Sequence, residues 1–210
     1  MKKTSGVLLT CLLGGLAMLS GCSKDPLSKL TPDETQIYIT DYDSTINFSA
    51  YKTFSISDSV TVINNGQGAK VLTPTDSAYI VAVKKYMQQS GYVLVSATQT
   101  PDIAVDVSRI YNTTSVISYV DYGDYFDEYY DPYYYGYGGY GYDIPYAIEY
   151  QATEGALSVD LLDLKDAAVK KKIDFMWTGV IRGEAIFSAT NADAQVQALF
   201  SQSPYLKTTN

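Results

Sequence analysis

The sequence predicts an α+β fold: a two-layer domain with a mainly antiparallel or mixed β-sheet, two helices on one face and a long Tyr/Gly-rich hairpin insertion. Three observations support it. Several short segments alternate between apolar and polar residues, as half-buried strands do. Only two segments show helical spacing of their apolar residues. A tyrosine-rich stretch separates two alternating segments, which places it at the tip of a β-hairpin.

The strand predictions follow the chain in order. Residues 36–43 and 51–57 alternate, and residues 63–70 predict a loop because they are rich in Asn and Gly. The short β-branched run 92–96 predicts another strand. Residues 102–111 alternate most regularly, with Ile103, Val105 and Val107 on one face. Further strands are predicted within 147–164 and 173–188, the last bending at glycines.

The two helix predictions depend on local capping signals. Thr73, Pro74 and Asp76 provide an N-cap hydroxyl, a proline at the first helical position and an acid three residues after the cap. Gly91 is placed to end this helix. A similar pattern from Thr190 predicts the start of the second helix, which ends before Pro204.

The N-terminus predicts export and lipid attachment. Lys2 and Lys3 precede an apolar stretch, residues 7–19, that is too short to cross a bilayer as a helix. The following Leu-Ser-Gly-Cys resembles a bacterial lipobox, in which Cys22 is lipidated and becomes the new N-terminus. We therefore expect a signal peptide at residues 1–21, a tether at 22–35, and one domain at 36–206 with the hairpin loop at 119–146.

The composition excludes several classes of site. The predicted mature chain has no free thiol, because Cys11 leaves with the signal peptide and Cys22 carries lipid, and the chain has no histidine. Ser-His-Asp and Cys-His catalytic arrangements and common zinc sites are therefore excluded. No phosphate-binding glycine motif is present, and a net charge of −8 disfavours nucleic acid as a partner. We expect no cofactor.

The tyrosine-rich segment is open to three interpretations. Residues 119–150 contain thirteen of the chain's 21 tyrosines, too many for all to be buried. The segment could be a low-complexity tip that partly covers the sheet, or a recognition surface for glycan, peptidoglycan or an envelope protein. The candidate ligand-binding residues are Tyr129, Tyr130, Tyr133, Tyr134, Tyr135, Tyr137, Tyr140 and Tyr142. A weaker alternative is a calcium loop that uses Asp121, Asp124, Asp127, Glu128 and Asp131, whose spacing does not match an EF-hand.

An ordered set of motifs resembles the DUF4136 family of bacterial lipoproteins. The motifs are DYDSTINFSAYKTF (residues 41–54), SGY (90–92), PDIAVDV (101–107), GALSVDLLDL (155–164), MWTG (176–179) and a closing Leu199, Phe200 and Pro204. The resemblance covers nearly the whole predicted mature chain. It implies an α+β lipoprotein of uncharacterised role and provides no catalytic residues. The insertion has tyrosine where family members often have tryptophan.

Two motif residues are interpreted as structural, and one carboxylate pair is discounted. Trp177 predicts a core anchor, and Gly179 allows a neighbouring backbone or the indole to approach closely. Asp160 and Asp163 are expected on different faces of their strand, so they do not form the pair of carboxylates that a glycosidase requires.

We therefore expect a non-enzymatic, membrane-anchored envelope lipoprotein that binds or assembles through its aromatic hairpin. The alternatives are a carboxylate-dependent hydrolase of envelope or exogenous glycans and a purely structural lipoprotein. Lys24 is not the aspartate that retains some lipoproteins in the inner membrane, so the outer membrane is favoured, on its periplasmic face or at the cell surface.

Overall fold

The folded unit, residues 32–210, is built around one mixed β-sheet. The computed structural model describes residues 30–64, 67–111, 155–165, 167–183 and 185–208. Eight strands are present in this part of the chain: β1 (Ile37–Tyr42), β2 (Thr53–Ile56), β3 (Val60–Asn64), β4 (Gln67–Val71), β5 (Val93–Leu94), β6 (Ile103–Tyr111), β7 (Ala156–Asp163) and β8 (Asp174–Arg182). The helices are α1 (Pro74–Gln89), α2 (Ala167–Lys170) and α3 (Ala192–Ser201). Short 3₁₀ helices span Pro32–Thr35, Phe48–Ala50 and Ala97–Gln99.

The strands follow the order β1-β8-β7-β6-β2-β5 across the sheet. Strands β1, β8, β7 and β6 pair with one another antiparallel, in that order. Strands β2 and β3 both pair with β6 in parallel. Strand β4 pairs with β3. The predicted mixed α+β sheet is therefore confirmed.

The first helix begins as its sequence predicts. The Thr73 hydroxyl accepts from the Asp76 amide, and the Asp76 carboxylate accepts from the Thr73 amide, so a complete capping box is present. Gly91, at φ +92°, follows the helix end. A side chain there would be strained, and its Cβ would also collide with Thr208.

Helices α1 and α3 pack on one face of the sheet and bury its apolar side. This face presents odd-numbered residues of β6 and β7, with Leu157, Val159 and Leu161 facing the helices beside Ile103 and Val105. Helix α2 contributes Ala167 to a smaller cluster with Ala104 and Leu162 on the opposite face. We call that opposite side of the sheet the second face; neither α1 nor α3 packs on it.

Two local predictions are wrong. The segment expected to be a loop at 63–70 lies mostly in β3 and β4, which pair antiparallel up to Asn64↔Gln67. Asn65-Gly66 stands between these residues, and this dipeptide favours the tight turn of a two-residue hairpin. The second helix has Asn191 rather than Thr190 at its N-cap, and the Asn191 side chain makes no capping hydrogen bond.

Candidate functional site

The tyrosine-rich segment connects two strands that are neighbours in the sheet. Strands β6 and β7 pair antiparallel from Ile103↔Asp163 to Ile110↔Ala156. The end of β6 and the start of β7 therefore lie side by side on adjacent strands, as a hairpin insertion between them requires. The eight candidate tyrosines, the five calcium candidates and Cys22 lie outside the described residues, so their predicted roles stay predictions.

An aromatic cluster lies where this segment joins the sheet. The rings of Tyr111 and Phe187 have centroids 4.9 Å apart, and the Arg109 guanidinium lies 5.8 Å and 5.6 Å from the two ring centroids. Gly155 lies beneath Phe187, where an added Cβ would be 3.0 Å from Cζ and closer still to Cε2. We call Arg109, Tyr111 and Phe187 the hairpin base.

The hairpin base is fixed to α1 by an ion pair. Arg109 Nε lies 2.9 Å from Asp76 Oδ1, and Nη2 donates to Oδ2 at 3.2 Å. The Nε contact is an ion pair rather than an aligned hydrogen bond. The Asp76 side chain is fully buried and also caps α1, so one carboxylate joins the helix start to the hairpin base. Sequence reasoning identified the cap but not the arginine partner.

Polar residues cross the middle of the second face of the sheet in one row. The strand registers align Asp41 with Thr178, Thr178 with Asp160, and Asp160 with Asp106. Asp106 and Asp160 are 2% and 6% exposed. We call these four residues the polar row. Two carboxylates are therefore buried directly opposite each other on adjacent strands, a placement that is destabilising when both are charged.

Hydroxyl groups surround the two buried carboxylates. The Ser108 hydroxyl donates to Asp106 Oδ2 at 2.7 Å. The hydroxyls of Ser158 and Thr178 contact Asp160, the former at 2.9 Å and 3.0 Å from the two oxygens. Burial raises the pKa of the Asp106 carboxyl to about 7, although the Ser108 hydroxyl and the Lys70 charge lower it. Burial therefore favours the protonated form of Asp106.

The polar row was not predicted from the sequence. The notable pair is Asp106 with Asp160, whereas the sequence argument considered Asp160 with Asp163. Asp163 instead pairs with Lys170, whose Nζ lies 3.3 Å from its Oδ2. The alternation of β6 places Asp106 on the face opposite Ile103, Val105 and Val107. Its partner Asp160 lies on β7, beyond the insertion of residues 112–154, so no local sequence pattern indicates the pair. Within the described residues, no group of three acidic, cysteine or histidine side chains is arranged to hold a metal ion.

A cleft of about 320 Å³ lies at the Asp41 end of the polar row. Its lining residues are Asp41, Tyr42, Asp43, Lys172, Asp174, Phe175, Met176, Trp177 and Thr178. Lys172 Nζ lies 2.6 Å from Asp174 Oδ1. Hydrogen bonds from the Thr45 hydroxyl and amide lower the pKa of Asp43, so this carboxylate is ionised at neutral pH. Lys170 Nζ also lies 3.8 Å from Asp174 Oδ2, so two ammonium groups offset the Asp174 charge. We call this cleft the edge cleft; Asp41 and Asp43 provide its remaining negative charge.

Trp177 has the structural role that the sequence predicts. Its side chain is 1% exposed, and Nε1 donates to Ser203 Oγ at 2.8 Å. An added Cβ on Gly179 would collide with the indole and lie 3.0 Å from Leu199 Cδ1, so glycine allows this close approach. The prediction that Trp177 anchors the core is confirmed.

The described residues form a mixed α+β domain with an insertion between β6 and β7 and a polar row on one face of the sheet. The model of the family described as "Domain of unknown function (DUF4136)" matches residues 39–205. The chain therefore belongs to the DUF4136 family. No curated protein matches the chain.

A solved structure shows the same fold. A DUF4136 family protein from Bacteroides thetaiotaomicron VPI-5482 is similar, with a TM-score of 0.64 and 24% identity over 83% of this chain and 99% of that chain. A PDZ domain protein from Parabacteroides distasonis ATCC 8503 has a TM-score of 0.39 and 13% identity over 85% of this chain and 41% of that chain. The similarity to the DUF4136 family protein supports the fold. No described helix is long and apolar enough to span a membrane.

Proposed function

We propose that this protein is a lipid-anchored envelope lipoprotein whose domain is a non-enzymatic binding or assembly module that acts through its tyrosine-rich hairpin. The observation that carries the proposal is the antiparallel pairing of β6 with β7, which brings both ends of the insertion to one place on a complete sheet. The pairing of β6 with β7 is unbroken from Ile103↔Asp163 to Ile110↔Ala156 and uses no residue of the insertion. A segment joined in this way can vary in sequence while the domain keeps its fold.

The hairpin base supports a binding role for the insertion. Arg109, Tyr111 and Phe187 form an aromatic and cationic cluster beside the first and last described residues of the two strands. The buried Asp76 holds Arg109 in place, so the cluster is positioned by α1. Tyrosine side chains provide flat apolar faces and hydroxyl groups at low cost in side-chain entropy, which suits sugars and protein surfaces.

The burial of the polar row favours binding over hydrolysis. A glycosidase needs two carboxylates on either side of a bond that lies in an accessible cleft. Asp106 and Asp160 are the described carboxylates that face each other, and both are buried. We therefore retain the binding module as the proposal and treat hydrolysis of glycans as its alternative.

The binding role is tested in the full-length protein by replacing the eight candidate tyrosines, Tyr129 to Tyr142 as named above, with serine. Co-sedimentation with purified peptidoglycan sacculi and binding to an array of glycans are measured. The proposal expects the wild type to bind one of these ligands and the variant to lose binding with an unchanged melting temperature. Equal binding by both proteins would contradict it. Release of sugar from either substrate, abolished by Asp160→Asn, would support the hydrolase.

Lipid attachment is tested separately with Cys22→Ser. Cells are grown with an alkyne-labelled fatty acid, and the protein is followed through membrane fractionation. The proposal expects label on the wild type in the outer-membrane fraction, and an unlabelled variant. Label on the variant, or an unlabelled wild type, would contradict lipidation at Cys22.

A further inference from the structure

The outer edge of β1 has no strand beside it in the described part of the chain. Strand β1 pairs with β8 on one side, in an unbroken register from Ile37↔Arg182 to Tyr42↔Trp177. Natural sheets protect such edges with lysine, proline, bulges or a covering segment. The sequence of β1, IYITDY, has no lysine or proline, and its register contains no bulge.

The side chains of β1 that lie on the second face of the sheet are exposed. Ile37 is 46% exposed and Ile39 is 42% exposed. Asp41, the next residue on this face, lines the edge cleft. An apolar, apolar, acidic pattern with a spacing of two therefore runs along the edge and ends at a negatively charged cleft.

We propose that β1 accepts an extended segment of a partner protein as an additional antiparallel strand. Antiparallel pairing continues the arrangement of β1, β8, β7 and β6. A partner strand in this register places one side chain opposite each of Asp41, Ile39 and Ile37. The charge and polarity of these three residues then specify the sequence of the partner strand. From its N-terminus, that strand has a basic residue at the first position and apolar residues at the third and fifth positions.

The edge cleft determines the basic position. Lys170 and Lys172 offset the charge of Asp174, and Asp41 and Asp43 provide the remaining negative charge. The cleft volume of about 320 Å³ admits a lysine or arginine side chain. A cation that enters the cleft meets complementary charge, which favours a partner of this sequence over an acidic one. The strand is thus recognised by its backbone through β1 and by its first side chain through the cleft.

A second copy of this chain fits the edge less well than a partner protein. Strand β1 has no basic residue, so a β1–β1 pair brings no cation to the edge cleft. The other outer strands of the sheet are poorer acceptors. Within the described residues, strand β4 pairs only with β3, but it carries Lys70, and lysine protects a sheet edge. Strand β5 has exposed Val93 and Leu94 but is only two residues long, so it offers few backbone groups. This proposal is argued only from β1 and the described residues of the edge cleft, so it is independent of the proposed function.

The test uses two blocked synthetic peptides of the same length as β1, with the sequences KTVTVT and ETVTVT. Each is titrated into the full-length, isotope-labelled protein, and amide chemical shifts are followed by NMR. We expect KTVTVT to shift the β1 amides and ETVTVT to bind about tenfold more weakly or not at all. Binding of the first peptide should weaken as salt increases.

Three variants decide the outcome. Ile39→Lys protects the edge and should abolish binding, whereas Val93→Lys on β5, a matched control at another exposed strand residue, should leave it unchanged. Asp41→Asn should reduce the preference for the lysine peptide without removing the shifts of the β1 amides. Melting temperatures confirm that each variant is folded. Equal binding of the two peptides, or full binding by Ile39→Lys, would overturn the proposal. A concentration-dependent dimer that Ile39→Lys dissolves would replace the partner strand with a second copy.

Discussion

Asp106 and Asp160 lie directly opposite each other on β6 and β7, buried on the face of the sheet that α1 and α3 do not cover. Each carboxylate accepts hydrogen bonds from neighbouring hydroxyls, yet burial keeps Asp106 partly protonated at neutral pH. Two buried carboxylates avoid mutual repulsion when one of them carries a proton. The pair therefore links the stability of the central strands to pH.

The stability of the wild type should fall between pH 4 and pH 7 on account of Asp106. Because its folded-state pKa of about 7 is above the ordinary value of 3.8, the contribution is fully present at low pH and is lost as the pH rises through 7. The shift corresponds to about 4 kcal/mol. Asp106→Asn should therefore raise the free energy of unfolding at pH 8 and change it little at pH 4, as measured by urea denaturation.

A matched control for this prediction is Asp58→Asn, an exposed aspartate in the connection between β2 and β3. It should leave the pH dependence as in the wild type. If Asp106→Asn instead lowers stability at pH 8, the ionised carboxylate has a stabilising partner and the assignment of the pH dependence to this residue is wrong.

Loss of the Asp76 carboxylate should be more damaging than loss of the helix cap alone. Asp76→Ala removes the capping box of α1 and leaves the Arg109 guanidinium without its ion-pair partner, at a cost of about 3–5 kcal/mol. Thr73→Ala removes the hydroxyl that accepts from the Asp76 amide and donates to its carboxylate, and it should cost about 1 kcal/mol. Thermal and chemical denaturation of both variants measure the difference.

The control for the ion pair is Asp193→Ala, which breaks the solvent-exposed pair with Lys85 between α1 and α3. Exposed ion pairs contribute little, so its stability should stay close to that of the wild type. Equal losses for Asp76→Ala and Thr73→Ala would show that the Arg109 contact contributes nothing.

Gly179→Ala should destabilise the core through a clash with Trp177. The new methyl group would overlap the indole and crowd Leu199, and overpacking of this kind costs about 1–3 kcal/mol. Trp177→Phe removes the part of the ring that meets this methyl group. The double variant should therefore be more stable than the sum of the two single losses predicts, whereas simple additivity would show that the clash is absent.

The sequence predicted those features that depend on local chemistry. The capping box joins residues three apart, and alternation in β6 distinguishes its two faces within one strand. The β3–β4 hairpin was missed because asparagine and glycine were interpreted as a loop, although Asn-Gly is also the strongest signal for a tight hairpin turn.

The missed side-chain pairs depend on strand register and on packing between distant segments. Asp106 meets Asp160 only because β6 and β7 pair across the insertion of residues 112–154. Arg109 reaches Asp76 because α1 packs on the sheet. The spacing of the two residues in the sequence gives no sign of this contact. The edge cleft likewise combines the end of β1 with the start of β8.

The central claim is that the hairpin is a binding element carried by a domain that folds without it. The most direct measurement is on one variant in which residues 119–146 are replaced by a short Gly-Ser linker, with thermal unfolding and sacculus or glycan binding measured on the same sample. The account predicts an unchanged melting temperature and complete loss of binding. A large fall in melting temperature, or binding equal to that of the wild type, would contradict it.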